Sequence, residues 1–257
     1  MTNSDAYLSA FRENGQKIAT IRDTLVTFTQ THFHLEDIEA YANHLIHEAG
    51  GEPAFKKVPG YAYATCISVN DGFVHGLPKG TLKPGDIVTI DTGMYYRGTT
   101  TDTARTFVIG PGTPDQIFFL GVGKKALKKT ISVATVGSPI RRLSETMQRY
   151  VERAGFSVTR NLTGHGVGKT MHEPPTIPCF MSRDPDLKLR LKPGMVIAIE
   201  VMYMKGGWPI TTDSDGWTMR TVDGSLSAVF EEDVLITDKG PEVLTISPCS
   251  RPLSLLK

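Results

Sequence analysis

The sequence predicts an α/β (α+β) chain built as two similar halves, each a helix layer on a strand layer, and three observations predict it. A strand signature recurs, with LKPGDIVTID (82–91) returning as LKPGMVIAIE (191–200): Lys-Pro-Gly, an apolar run, then a carboxylate. A helix-period segment precedes each copy: Ile38, Ala42, Leu45, Ile46, Ala49 in one, Leu143, Met147, Tyr150, Val151, Ala154 in the other. The two matches fall at nearly one offset, 109 residues for the strands (191 − 82) and 105 for the helices (154 − 49), so one architecture is repeated.

In chain order, residues 5–29 predict an N-terminal helix. The segment ending at Ala49-Gly50 predicts a second helix, because Ala-Gly is a helix stop. Pro84-Gly85 opens a Val/Ile-rich strand that ends on Asp91. Gly93 and Gly98 in IDTGMYYRGTTTDTARTF (90–107) predict a hairpin turn that brings Asp91 and Asp102 side by side. GKKALKKT (123–130) reads as a helix with four lysines on a solvated face, a weak docking patch for the ribosome or another acidic partner being the other reading. The segment ending at Ala154-Gly155 is the second copy of the stopped helix, and MVIAIEVM (195–202) that of the strand. SAVFEEDVLIT (227–237) is a further strand, with Glu231 and Asp233 on one face and Glu232 on the other; one of these is expected inward, and the pattern leaves either parity open. The tail, 247–257, holds two prolines and no clear period. With no Pro/Gly/Ser-rich linker, residues 1–257 are expected to form one domain, its halves at about 30–122 and 123–246.

Asp91, Asp102, His165, Glu200 and an acid from 231–233 all sit in stretches that read as strand or strand end. Carboxylates there are costly to bury unless something positive meets them. No cluster of Arg or Lys matching them is evident, and Lys205 reads as exposed. Four negative charges balance two divalent cations, so the pattern points to a dinuclear centre that activates water. Gly-Lys-Thr at 168–170 is no phosphate loop: Thr163 stands where a glycine is needed, and Pro174-Pro175 prevent the following helix. The same prolines exclude an HExxH zinc helix after His172-Glu173.

Lys and Arg total 28 against 27 Asp and Glu, a net charge of +1, which gives no reason to expect nucleic acid or an anionic membrane as partner. Cys66, Cys179 and Cys249 form no spaced pair, and MTNSDAYLSA carries no signal pattern, so a reducing cytoplasm is expected.

These residues, with YATCISVNDGFVHGLP (63–78), GHGVGKTMHEPP (164–175) and DGWTMRTVDGSLSAVFEED (215–233), resemble the pita-bread metallopeptidases, and among them the type I methionine aminopeptidases. The resemblance covers roughly 10–246. The seven-residue step from His165 to His172 matches that group rather than the Xaa-Pro peptidases. It implies a pita-bread fold, two pseudo-symmetric halves with a central antiparallel sheet covered by helices. It implies a metal set of Asp91, Asp102, His165, Glu200 and Glu231, choosing Glu231 among the acids, with Asp102 and Glu231 bridging. The two divalent ions would be Fe, Mn, Co or Zn. It places His172 at the scissile carbonyl and His75 near the scissile amide, with Glu200 as general base and then acid. Tyr61, Cys66, Met171 and Trp217 would form an apolar slot for methionine, with His75 and His172 also at the substrate. The implied substrate is the N-terminus of nascent chains, and a monomer is expected. The alternatives are a pita-bread aminopeptidase of other specificity, such as Xaa-Pro, and a catalytically silent binding homologue; the latter kind loses ligands, and all five are present. Three positions depart from the group: Met171 where phenylalanine is usual, Phe55 where a smaller residue is typical, and Glu232 where histidine commonly follows the last ligand.

Overall fold

The structure, a computed structural model, describes residues 5–247. Cys249 and all of the tail except Ser247 lie outside the described residues. In chain order the elements are α1 (Asp5–Thr29), α2 (Leu35–Glu48), β1 (Glu52–Pro53), β2 (Thr65–Val69), β3 (Gly72–Val74), β4 (Ile87–Tyr96), β5 (Thr99–Val108), α3 (Pro114–Val133), α4 (Ile140–Arg153), β6 (Ser157–Val158), β7 (Thr163–Gly166), β8 (Glu173–Pro178), β9 (Val196–Met204), β10 (Ile210–Thr212), β11 (Met219–Thr221), β12 (Ser227–Thr237) and β13 (Gly240–Val243). Every strand pairing is antiparallel.

The repeat appears as architecture. Helix α4 lies 105 residues on from α2 at both ends, and β9 starts 109 residues after β4. Both helices stop at a glycine in the left-handed region, Gly50 (φ 77°) and Gly155 (φ 86°), a conformation that costs glycine nothing. In the first half, α1 and α2 pack Ile18, Leu25, Ile38 and Ile46 onto Ile67 and Ile90 of the β2–β4–β5 sheet. In the second, α3 and α4 pack Leu127, Leu143 and Met147 onto Ile197 and Ile199 of β9 and Phe230 of β12. Helix α3 begins cleanly because Thr113 and Gln116 form a capping box and Pro114 presets the first helical φ. Lys124, Lys125, Lys128 and Lys129 are all exposed, with the Lys124 Nζ 6.0 Å from the centre of the Phe230 ring.

Two local expectations are corrected. Strand β4 runs past Asp91, so Asp91 is mid-strand and Gly93 is a strand residue rather than part of the turn. The turn is Arg97-Gly98, both at positive φ (47° and 79°), as a tight two-residue hairpin requires. Gly93 is glycine because a Cβ there would sit 2.4 Å from the Thr101 carbonyl oxygen. The acids at 231–233 are also not one in and two out: Glu231, Glu232 and Asp233 are all buried, since β12 is covered on both faces.

The halves meet where β5 lies against β12. Among the described residues no backbone ladder joins these strands; side chains do. The Thr106 hydroxyl accepts from the Val229 N–H (2.9 Å) and donates to the Val229 carbonyl (2.7 Å). Thr103 donates to the Glu231 carbonyl (3.0 Å), and Asp233 Oδ2 accepts the Asp102 N–H (2.9 Å).

Close approach of α3 to this layer makes a paired stability prediction. A Cβ on Gly123 would fall 2.4 Å from the Phe230 ring and 2.6 Å from Tyr203, whereas one on Gly121 meets nothing within 4 Å. Gly121→Ala should stabilise by about 0.5–1 kcal/mol through helix propensity. Gly123→Ala should lose about 1–3 kcal/mol through overpacking. Urea unfolding of the two variants beside the parent measures both; equal effects would contradict the packing described.

Candidate metal centre

Strand pairing carries the acids to one place. Glu231 on β12 stands directly opposite Glu200 on β9. Like charges in that relation are destabilising. On the β4–β5 hairpin Asp91 faces Ala104 and Asp102 faces Gly93, so the two aspartates share a face as diagonal neighbours rather than as an opposed pair. His165 reaches in from β7, opposite Ala198 of β9. Its Nε2 lies 3.7 Å from Glu200 Oε1 and 3.9 Å from Asp102 Oδ2. All five side chains, with His75 and His172, line one cavity of about 270 Å³.

The cavity has the donor chemistry of a cation site. Asp91 Oδ1, Asp102 Oδ1 and Glu231 Oε1 are buried with no hydrogen-bond partner among the described residues. Ligand atoms of Asp102, His165 and Glu231 all lie within 4.8 Å of one another. His165 Nδ1 sits 2.9 Å from the Gly166 carbonyl oxygen, which can only accept, so the proton belongs on Nδ1 and Nε2 presents a lone pair. Burial, and then the neighbouring His172, push the His165 imidazolium down to about 4, leaving a neutral ligand at neutral pH. Burial pushes Asp91 up to about 7. Burial and then mutual repulsion hold Asp102, Glu200 and Glu231 well above the carboxylate range. Two carboxylates about 4 Å apart repel by roughly 4 kcal/mol at an effective dielectric near 20, a large share of the ~5–15 kcal/mol that holds a fold together. Divalent cations reverse that sign, so these residues fit a metal.

The two outer histidines differ from the inner one. The His172 ring stands edge-on to His165, centroids 4.5 Å apart. His75 is held at a positive φ of 55°, unusual outside glycine. Burial lowers both imidazoles from their ordinary value, so both are neutral and can donate an N–H at neutral pH.

Beside the acids lies an apolar cluster of Phe55, Tyr61, Cys66 and Met171, with Trp217 packed on it. Tyr61 meets Trp217 edge-on at 4.9 Å and donates its hydroxyl to the Thr65 carbonyl (2.8 Å). Cys66 is the direct cross-strand partner of Asp91, so cluster and cavity adjoin. A Cβ on Gly93 would lie 3.0 Å from Met171 and 3.2 Å from Phe55, so this glycine too shapes that wall.

Sequence reading missed Thr103 and Arg22 of α1, the latter fully buried, and weighed Asp233 only as a possible inward acid, where it is fully buried against the Asp102 amide. Arg22 left a signal, because it lies four residues after Ile18 and three before Leu25, on the apolar face of its helix. It does not neutralise the cavity acids; it meets Glu232 on the other face of β12.

Residues 9–238 match the sequence profile of metallopeptidase family M24. The chain is 37% identical to methionine aminopeptidase 1 of Bacillus subtilis over 239 residues, 93% of this chain and 96% of that protein. It is 32% identical to the methionine aminopeptidase of Escherichia coli K12, over 93% of this chain and 91% of that one. The solved methionine aminopeptidase of Thermotoga maritima superposes with a TM-score of 0.90 at 34% identity, covering 96% and 99% of the two chains. The prolidase of Pyrococcus furiosus, at 22% identity and a TM-score of 0.78, shares the fold alone and matches over 65% of its own length.

A pH prediction follows from the raised carboxylates. Asp91 is protonated more readily when folded than unfolded, so its contribution to the metal-free protein is complete below about 4 and is lost as pH rises towards 7. Bound metal must displace that proton. The gain in melting temperature on adding Mn(II) should therefore grow between pH 5 and 7.5; a gain independent of pH would contradict it.

Proposed function

The chain belongs to metallopeptidase family M24, and from that premise we propose that it is a methionyl aminopeptidase, hydrolysing the bond after an N-terminal, initiator methionine. The observation that carries this reading is the juxtaposition of the carboxylate–histidine cavity with the sulfur- and aromatic-lined cluster at Cys66.

In this reading Asp91, Asp102, His165, Glu200 and Glu231 would hold two divalent ions, Fe, Mn, Co or Zn. Such a pair supplies a Lewis acid and lowers the pKa of a water. Glu200 takes a proton from the attacking water and returns it to the leaving amine. His172, neutral and carrying an N–H, donates to the scissile carbonyl oxygen as negative charge develops there. His75 steadies the scissile amide. Tyr61, Cys66, Met171 and Trp217 receive the methionine side chain, whose flexible thioether suits aromatic and sulfur neighbours.

The wider reading has a single catalytic domain over 1–257, active as a monomer in the cytoplasm on the N-termini of nascent chains. No helix of the described residues is long and apolar enough to cross a membrane. The exposed lysines of α3 support a weak ribosome contact through charge alone.

After metal removal and reconstitution with Mn(II), Fe(II) or Co(II), methionine should be released from Met-Ala-Ser and nothing from an Ala-Pro peptide. Asp91→Ala should abolish that turnover while leaving the circular dichroism spectrum intact. Turnover retained by Asp91→Ala would refute the site. His172→Ala should lower kcat about 10²–10³-fold with metal content still near two per chain; metal loss instead would make His172 a ligand.

A further inference from the structure

We propose that Arg22, Glu232, Arg105 and Thr103 form a positioning device that sets the spacing between the carboxylates of the two halves, and so tunes metal affinity. The inference rests on the metal reading above. Its starting point is the seam: β5 brings Asp102 and β12 brings Glu231, and the described residues show no ladder between these strands to fix their separation.

The spacing is fixed from behind. The Arg22 guanidinium is fully buried and reaches from α1 to both strands at once. Its Nη1 donates to the Thr103 hydroxyl on β5, to Glu232 Oε2 on β12 (3.1 Å) and to the Thr245 carbonyl (3.2 Å). Thr103 passes the link on, donating to the Glu231 carbonyl (3.0 Å). Glu232 also accepts from Arg105 of β5 (2.8 Å) and from the Thr245 hydroxyl (2.6 Å). Thr245 in turn accepts the Asp233 N–H (2.9 Å), and Asp233 holds the Asp102 N–H. Each backbone that presents a shared carboxylate is therefore held by this network: Asp102 through Asp233, and Glu231 through Thr103. With Asp23 also against Arg22 (2.9 Å), Arg22 and Arg105 face Asp23 and Glu232. Buried groups of this kind are costly when half satisfied, which makes one arrangement preferred. A histidine at 232 could not accept from two arginines, so Arg22, Arg105 and Glu232 form one matched set.

Neither Thr103 nor Glu232 lines the cavity. Partners behind metal ligands commonly change affinity about 10–100-fold when removed. Thr103→Val keeps shape and charge while cutting the link from Arg22 to Glu231; Glu232→Gln keeps the shape and removes the charge. Both variants and the parent would be titrated with Co(II), reading affinity and the visible absorption of the bound ion. The expected result is a loss of affinity of about tenfold or more and an altered Co(II) spectrum in Thr103→Val. Glu232→Gln should do the same where it folds. Unchanged Co(II) affinity and spectrum in Thr103→Val, whatever its melting temperature, would overturn the proposal. The parent separates the two claims: if it binds no Co(II), the metal reading itself fails.

Discussion

Mutual repulsion among Asp91, Asp102, Glu200 and Glu231 is the constraint to which the rest of the structure answers. Four acids share one cavity, two of them as direct cross-strand partners, and three of their oxygens have no partner among the described residues. Among the described residues no Arg or Lys lines that cavity. Burial and repulsion favour the neutral acids, and only dense positive charge favours the carboxylates. The neighbouring histidines comply: His165 is kept neutral, with its lone pair inward. The site is thus most stable loaded, and its cost when empty is spread over two halves that each hold only part of it.

That division explains the seam. A continuous ladder between β5 and β12 would fix the halves through backbone alone. Instead threonine hydroxyls and Asp233 bridge the strands, and a buried arginine ties them to α1. These side-chain bridges hold the two carboxylate-bearing strands at one separation, which a divalent ion with a preferred geometry requires. The apolar cluster at Cys66 adjoins the acid cavity, because β2 pairs directly with the Asp91 strand.

Much of this was legible in the chain. The recurring Lys-Pro-Gly strand placed Asp91 and Glu200 because a strand of known start fixes the position of each later residue. The helix stops were legible because Ala-Gly has one cheap conformation there. The hairpin turn was misplaced because Gly93 looks like a turn glycine, yet is glycine to avoid Thr101, while Arg97 takes a backbone shape arginine seldom adopts. The acids at 231–233 misled because a period of two carries face information only when one face is wet, and β12 is covered on both. One partner of Glu232, Arg22, lies 210 residues away on α1, a distance that no local pattern spans.

The most direct test is anomalous X-ray diffraction at the manganese edge from crystals grown with Mn(II). The account predicts two anomalous peaks inside the cavity, both in contact with Asp102 and Glu231, one of them also with His165 and Glu200. No peak there, with the carboxylates instead paired to each other through protons or to a cation from elsewhere in the chain, would contradict it.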